Sequence, residues 1–451
     1  MKVRTCHLRV VVCLIAFLQA LPTSGQDHKS PLAKLDFKDG DSLVFLGDSI
    51  THQCLYTQYV EDFFYTRFPQ MRLKFHNSGV GGARAWDALQ RFDRDVAAYK
   101  PKYVTVLLGM NDGSYRPYDE QTFQKYRKDM IEVISRIKQT GATPILMTPT
   151  MFDSRAARKR DRRRVPGTLE LYNSVLSFYG SWLQEVAVEN GYGFVDMFSP
   201  LNTLTLRQRK TQPDFTMIRD SVHPDPPGQL VMAYAILDQM GLRSPVSSIR
   251  IFNSGEGKPQ VHARGGTVSD LQTTADGLSF SWAAESLPLV LPEEAAIGVK
   301  LLNLGHRMSR EALELHGLRP GQYELTIDGD VVGTFSSTQL SRHIELQANA
   351  KTPQNRQALE VTQLNKQRND RPVRALRNEW RLFQRYARDA ERLKASPDDA
   401  ELKKQVETAR KQLEGLEEQI KIHERAARAM EDRIFELNQP TTRRYVLRRV
   451  S

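Results

Sequence analysis

Short apolar runs alternate with longer amphipathic segments between residues 42 and 242. The apolar runs have the length of strands, and the amphipathic segments have the length and period of helices. This alternation predicts a parallel sheet with helices on both faces. The predicted strands cover residues 43–46, 73–76, 103–108, 144–147 and 193–197. One predicted helix, over residues 123–138, has an apolar face of Met130, Ile131, Ile134 and Ile137.

After residue 241 the texture of the chain changes. Residues 246–348 are rich in Gly, Pro and alternating apolar positions. Within them, Asp328-Gly329-Asp330 separates two alternating runs in the way that a hairpin turn does. This segment is therefore predicted to form a small β-rich, sandwich-like domain.

A helical pattern covers residues 371–437, with a break at 395–402 where Ser396 or Asp398 would cap the second helix. Two antiparallel helices, a helical hairpin, are expected. The hairpin is interpreted as a packing or spacing element, and a partner-binding coiled coil is the alternative. The closing residues 443–450, RRYVLRRV, alternate like an edge strand that would return to the β-rich part.

These patterns divide the chain into segments of ordinary domain size. The predicted segments are a signal peptide over 1–25, an α/β domain over 26–245, the β-rich domain over 246–350 and the helical hairpin with its terminal strand over 351–451.

The first residues have the pattern of a secretory signal. Lys2, Arg4 and Arg9 precede an apolar run over residues 10–21 and a small-residue exit. The apolar run is too short to span a bilayer well, and no later stretch reaches the length of a membrane helix. We therefore expect a secreted or periplasmic protein without an integral membrane segment after signal removal. Cys54 is then the single mature cysteine, which excludes an internal disulfide.

Much of the net charge of +11 is local. Residues 155–164, RAARKRDRRR, hold seven Arg or Lys and one Asp. Such a run is usually a solvated surface loop, and the alternative is a site for an anionic polymer or substrate. Because one loop explains much of the charge and the chain is expected to be exported, nucleic acid is not an expected partner.

Four motifs contain candidate functional residues, and three of these motifs stand directly after predicted strands. Ser49 stands in FLGDSITH after the first strand, and residues 76–87, HNSGVGGARAWD, form a Gly-rich turn that opens a helix. Asn111 stands in LLGMNDG after the third strand, and Asp220 and His223 stand in RDSVHPDPPGQ before a Pro-rich helix start. Because ligands bind beyond the carboxyl ends of parallel strands, we expect these groups to converge at one sheet edge.

The residue types meet the needs of ester hydrolysis, which requires a nucleophile, a base, a group that orients the base and donors for an oxyanion. Asp220 is close enough in sequence to His223 to hold the imidazole toward Ser49. His52 is interpreted as a polar residue at the pocket rim, and Asp48 as a turn residue. No histidines have the spacing of a zinc site, and this chemistry needs no metal or organic cofactor.

Taken together, the motifs resemble the SGNH (GDSL) hydrolase family over about residues 40–242. The matching blocks, in the family's order, are GDSI at 47–50, NSGVGG at 77–82, GMND at 109–112 and DSVH at 220–223. The resemblance implies a flavodoxin-like, three-layer α/β/α hydrolase domain. One departure from the family's pattern is Ala83-Arg84, where many members carry Asp-Thr. Arg84 is interpreted as a surface residue at a helix start, and the alternative is that it contacts the substrate.

The resemblance also implies the roles of the site residues. Ser49 would be the nucleophile, His223 the base and Asp220 its orienter. Gly82 and Asn111 would join the Ser49 N–H as oxyanion donors, with Gly79 and Gly81 in the same turn as alternatives to Gly82.

Members of the family act on acetylated carbohydrates, lipids, thioesters and simple aryl esters, so the motifs alone do not select a substrate. Three features favour an O-acetyl ester on a polysaccharide: export, an appended β-rich domain and the absence of a long apolar lid. If the polysaccharide is anionic, the basic run could attract it. A lipid or lysophospholipid esterase and a non-catalytic glycan-binding envelope protein are the alternatives. The sequence does not indicate an oligomeric state.

Overall fold

The computed structural model describes residues 32–160, 166–253 and 258–451. The predicted signal peptide over residues 1–25 lies outside the described residues, as do residues 161–164 of the basic run. Within the described ranges, no helix combines the length and the apolar character needed to cross a membrane.

A five-stranded parallel sheet forms the centre of the first domain. Its strand order is β2-β1-β3-β4-β5, the order of flavodoxin-like folds, which confirms the predicted fold class. The order reverses between β1 and β3, where the carboxyl ends of the strands open a crevice for a ligand. The strands are β1 (Ser42–Gly47), β2 (Lys74–Gly79), β3 (Tyr103–Leu107), β4 (Thr143–Met147) and β5 (Gly193–Val195).

Helices cover both faces of this sheet. They are α1 (Ser49–His52), α2 (Leu55–Arg67), α3 (Ala85–Asp95), α4 (Glu120–Gln139), α5 (Ser154–Arg160), α6 (Pro166–Asn190), α7 (Phe198–Arg209) and α8 (Pro226–Gln239). In α4 the buried face includes Met130, Val133, Ile134 and Ile137. The prediction that Ile131 belongs to this face is wrong, because Ile131 is 49% exposed and lies one position around the helix from Met130.

A second core lies between two further sheets, which together form the predicted β-rich sandwich. Their orders are β13-β10-β6-β7 and β12-β11-β14-β9-β8. The strands are β6 (Ser247–Phe252), β7 (Gln260–Arg264), β8 (Gly266–Thr274), β9 (Gly277–Ala284), β10 (Glu311–His316), β11 (Gln322–Ile327), β12 (Asp330–Ser336), β13 (Ile344–Glu345) and β14 (Arg443–Arg449). Three short helices lie between these strands in the chain: α9 (Ala296–Leu302) and α10 (Leu304–Met308), whose buried residues join the core of the first domain, and α11 (Ser337–Arg342).

Strands β11 and β12 form the hairpin expected around residue 329. Asp328 and Gly329 both have positive φ, 53° and 89°, as a two-residue type I′ turn requires. The terminal strand β14 is not an edge strand, because it pairs with β11 on one side and β9 on the other. Tyr445 and Leu447 of β14 are buried in the sandwich core, so the alternation of the terminal segment reflects one buried face.

Between β13 and β14 the chain forms a helical hairpin whose two arms each contain two α-helices. The first arm contains α12 (Pro353–Arg368), a π-helical turn at Asn369–Val373 and α13 (Arg374–Ala395), and the second contains α14 (Ala400–Gln412) and α15 (Leu416–Leu437). The first arm begins well before residue 371 because the π turn accommodates Pro372 without ending the helix. The cap of α14 is Asp399, whose carboxylate accepts the Leu402 N–H at 2.9 Å, and not Ser396 or Asp398.

The hairpin packs on the α/β domain. Trp380, Ile434 and Phe435 join the core of that domain, and the Arg377 guanidinium donates to Asp95 of α3 at 2.8 and 3.0 Å. The helices therefore lie against the elements that carry the candidate site. The limits 26–245, 246–350 and 351–451 stay predictions.

Candidate active site

Ser49, His223 and Asp220 lie in hydrogen-bonding distance of one another. The Ser49 Oγ is 2.8 Å from His223 Nε2, and His223 Nδ1 is 2.6 Å from Asp220 Oδ2. Ser49 is the first residue of α1, directly after β1, and the other two side chains stand in the turn before α8. With Nδ1–H donating to the carboxylate, Nε2 is left to accept the serine proton, so the arrangement can activate the hydroxyl.

The turn at residues 220–223 holds its own carboxylate in place. Asp220 Oδ1 accepts the N–H groups of Val222 and His223 at 2.9 and 2.7 Å. Partial burial raises the pKa of Asp220, but the backbone and ring hydrogen bonds from His223 and the Val222 N–H outweigh it and bring the pKa below its ordinary value. An ionised Asp220 can then stabilise an imidazolium at His223.

The glycine turn after β2 offers one free backbone donor. Gly79 N–H donates to Asn77 Oδ1 at 2.9 Å, and Gly81 N–H donates to His52 Nδ1 at 3.1 Å. In the described part of the chain, the Gly82 N–H has no protein acceptor, and Gly82 has a φ of 71°, which favours glycine. Of the three glycines, Gly82 is therefore the one whose N–H is available for a ligand.

Asn111 reaches the same cleft from the end of β3. Its Nδ2 donates to Ala83 O at 3.1 Å and makes a long, 3.4 Å contact with Asp48 Oδ2, while its Oδ1 accepts the Tyr115 hydroxyl at 3.1 Å. The long contact leaves one amide hydrogen only weakly engaged. Together with the Ser49 and Gly82 N–H groups, Asn111 can supply a third donor for an oxyanion.

Replacing Asn111 with Ala is expected to reduce kcat about 10²–10³-fold, the usual effect of removing one oxyanion donor. KM for a small ester should change little, because the donor acts mainly on charge that develops after binding. Steady-state kinetics on p-nitrophenyl acetate measure both parameters. A variant with wild-type kcat would remove Asn111 from the donor set.

Asp48 behaves as the turn residue that the sequence indicated. Its Oδ1 accepts the Ile50 N–H at 2.9 Å and so caps α1 beside the serine. The side chain is buried, and burial raises the pKa of Asp48 to about 7, with Asp112 nearby as a further cause.

His52 lies at the cleft rim, as expected, and it also supports the glycine turn. Burial lowers the pKa of His52 to about 4, and the positive charges of Arg377, Arg381 and Arg374 contribute. The ring is therefore neutral near pH 7, which suits its Nδ1 to accept the Gly81 N–H. This support for the turn was not predicted from the sequence.

One wall of the cleft comes from α13, which sequence reasoning did not connect with the site. The cleft has a volume of about 1050 Å³, and α13 lines it with Arg374, Arg381, Gln384, Arg385, Arg388 and Asp389. The four arginines recur at helical spacing on one side of α13, which was the available signal. That signal says nothing about where the helix packs, because the site motifs lie more than 150 residues away in the chain.

Two side chains of α13 hold the glycine turn from the outside. Gln384 Nε2 donates to Gly81 O at 3.0 Å, and Arg388 Nη2 donates to Gly82 O at 2.7 Å. Arg388 is fixed in turn by both carboxylate oxygens of Asp87 in α3, at 2.7 and 2.6 Å. The donor N–H of Gly82 is thus positioned by contacts from residues 303 and 306 positions further along the chain than the glycines they contact.

The described part of the basic run is helix α5, so the expectation of a loop is wrong for residues 155–160. Arg158 pairs with Glu170 at 2.6 Å and Lys159 with Asp214 at 2.5 Å. Arg160 donates to Asp220 O at 3.4 Å, which places the run beside the Asp220 turn. Arg84 is exposed at the start of α3, as its interpretation as a surface residue predicts.

Over residues 32–160, 166–253 and 258–451, no group of three or more His, Cys, Asp or Glu side chains is arranged to hold a metal ion.

Comparison with known proteins places this site in a family context. Residues 45–231 match the model of the GDSL-like lipase/acylhydrolase family. The chain is 26% identical over 225 residues to the acetylxylan esterase of Geobacillus stearothermophilus, covering 45% of this chain and 94% of that protein. It is 35% identical over 74 residues to the uncharacterized lipoprotein YqeF of Bacillus subtilis, covering 16% of this chain and 30% of that protein.

Among solved structures, the gut microbial diltiazem-metabolizing enzyme BT4096 superposes with a TM-score of 0.79 at 28% identity. The superposition covers 93% of this chain and all of that one. The likeness therefore extends beyond the α/β domain into the β-rich and helical parts.

Proposed function

We propose that this chain, a carboxylic ester hydrolase with a GDSL-like acylhydrolase domain, removes O-acetyl groups from a polysaccharide by a Ser-His-Asp acyl-enzyme mechanism. The observation that carries the mechanism is the hydrogen-bonded line from Ser49 Oγ through His223 to Asp220, with distances of 2.8 and 2.6 Å. The donors around it supply the matching oxyanion site.

In the first half-reaction, Ser49 Oγ bonds to the acetyl carbon while its proton moves to His223 Nε2. Asp220 stabilises the imidazolium, and the carbonyl oxygen, now an oxyanion, accepts from Ser49 N–H, Gly82 N–H and the Asn111 amide. The bond from the acetyl carbon to the sugar oxygen then breaks, and His223 returns the proton to that oxygen. A water repeats the sequence on the acetyl-enzyme and releases acetate.

A small acyl group is favoured by the lining of the cleft. Leu55 is the only aliphatic side chain among the lining residues of the described chain, and most of the others are polar or charged. A long acyl chain would need an apolar groove to bury its methylenes, at about 0.8 kcal/mol for each. This disfavours the lipid esterase alternative, and the similarity to an acetylxylan esterase supports a carbohydrate ester. We propose a secreted or periplasmic location, where such a polymer is accessible.

The test is acetate release from a panel of acetylated polysaccharides, alongside p-nitrophenyl esters of increasing chain length. We expect acetate release from at least one polysaccharide and a steep fall in kcat/KM beyond short acyl chains. Preference for long-chain esters would move the assignment to a lipid esterase. Hydrolysis of p-nitrophenyl acetate with no acetate from any polysaccharide would restrict the enzyme to small acetyl esters.

A further inference from the structure

We propose that the side of α13 formed by Arg374, Arg381, Arg385 and Arg388, the arginine face, binds a carboxylate or sulfate of the substrate, so that the substrate is an acidic acetylated saccharide. This inference rests on the proposed function. The residues that indicate the substrate class belong to α13, which lies outside the α/β domain and forms one wall of the cleft.

Two of the four guanidiniums already have partners. Arg388 is neutralised by Asp87, and Arg374 pairs with Asp370 at 3.2 Å while donating to Gln53 O at 2.9 Å. Asp389, the acidic residue of this wall, is engaged by Arg392 at 3.2 Å. These charges are largely balanced before any ligand arrives.

Arg381 and Arg385 are different. Within the described residues, neither has a carboxylate partner or a side-chain hydrogen bond, and both are exposed into the cleft. They stand four residues apart, so their guanidiniums lie on adjacent turns of one helix face. Elsewhere on α13 the exposed cations Arg392 and Lys394 pair within the helix. The cleft therefore carries two uncompensated positive charges that a ligand can neutralise.

The position of Arg381 ties this charge to the reaction. Its Nε is 3.8 Å from the point that a Cβ on Gly81 would occupy, next to the turn that presents the Gly82 N–H. An anion held there lies in the same cleft as Ser49 and the Gly82 donor. A planar guanidinium can donate two parallel N–H groups to two oxygens of one carboxylate or sulfate. This geometry selects for such anions over hydroxyls.

The test uses substrates that differ only in the anion. Chemically acetylated polygalacturonate is compared with its methyl ester, and acetylated carrageenan with acetylated desulfated carrageenan, to separate carboxylate from sulfate. We expect kcat/KM to be at least about tenfold higher for one acidic member of these pairs, the value of one charged hydrogen bond. This ratio should fall toward one in Arg381→Gln/Arg385→Gln and with added salt.

The matched control is Arg371→Gln/Lys394→Gln, which removes two exposed positive charges from the same arm without touching the cleft lining. It should keep the wild-type ratio. Equal kcat/KM for acidic and neutral members in the wild type, or a wild-type ratio in Arg381→Gln/Arg385→Gln, would overturn the inference even though acetate is released.

If no polysaccharide releases acetate, the proposed function is contradicted. The inference about the arginine face can still be tested by a binding measurement. Calorimetry of unacetylated oligogalacturonate and of sulfated carrageenan oligosaccharide with Ser49→Ala reports anion binding without turnover. The inference is supported if either oligosaccharide binds and its affinity falls at least about tenfold when Arg381 and Arg385 are also replaced. Absence of binding to both would overturn it.

Discussion

Replacing Ser49 with Ala is expected to lower kcat on p-nitrophenyl acetate by about 10⁴–10⁶-fold, because in the proposed mechanism the acyl-enzyme has no other atom on which to form. His223 Nε2 then lacks the hydroxyl that it accepts at 2.8 Å, and only uncatalysed attack by water within the oxyanion site is left. The loss should be of similar size for every ester tested. Steady-state rates and the missing burst of p-nitrophenol measure it.

Ser177→Ala is the matched control, since Ser177 is an exposed serine of α6 that does not line the cleft. This variant should keep wild-type rates, and both variants should keep the wild-type melting temperature. Turnover in Ser49→Ala within tenfold of the wild type would show that another group is the nucleophile.

Replacing Asp95 with Asn is expected to destabilise the folded protein by about 3–5 kcal/mol, because it leaves buried guanidiniums without their counter-charge. Asp95 accepts from Arg91 at 2.7 Å, from Arg377 at 2.8 and 3.0 Å and from Ser78 Oγ at 2.9 Å, and His76 Nε2 lies 2.9 Å away. Both arginines and the carboxylate have no exposed side-chain surface.

The charge state of Asp95 gives this prediction a pH dependence. Burial raises the pKa of Asp95, but Arg377, His76 and Arg91 outweigh it and hold the pKa well below its usual range. A carboxyl with a depressed pKa contributes stability that is present above its unfolded pKa of about 4 and is lost as pH falls below it. The stability gap between the wild type and Asp95→Asn should therefore narrow below about pH 4.

Urea unfolding followed by circular dichroism measures the gap, with Asp93→Asn as the control. Asp93 is on the same helix and pairs with Arg136, but its side chain is 75% exposed, so its loss should cost about 0–1 kcal/mol. An Asp95→Asn protein as stable as Asp93→Asn would contradict the role assigned to the buried cluster. Because Arg377 belongs to α13, we also expect lower activity in Asp95→Asn at temperatures where it is still folded.

Much of the site could be predicted because its signals are local. Ser49 and Asn111 follow strands whose carboxyl ends meet at one edge, and Asp220 and His223 lie in a single turn. The choice of Gly82 over its neighbours needed the structure, since it depends on which N–H groups are already engaged. His52 engages one of them, and a sequence pattern does not show such a contact.

The wall formed by α13 could not be predicted, for a physical reason that lies in its buried face. That face contains Arg377 and Gln384 beside Leu376 and Trp380, and a polarity pattern assigns the first two to solvent. They are buried because each has a hydrogen-bond partner on another element, Asp95 for Arg377 and Gly81 O for Gln384. Likewise, β14 was expected at an edge because its residues alternate, whereas it is a central strand whose Tyr445 and Leu447 face the sandwich core.

The central position of β14 has a consequence for how the protein is made. Helix α13, which carries the arginine face, lies between β13 and β14 in the chain, so the sandwich sheet cannot close until β14 (Arg443–Arg449) has been synthesised. Until then β9 and β11 present facing, unpaired backbone edges to their surroundings, a hazard for association with other chains. Completion of the sandwich thus becomes a late event, and a chain interrupted before β14 would contain the cleft wall but lack the central strand of this sheet.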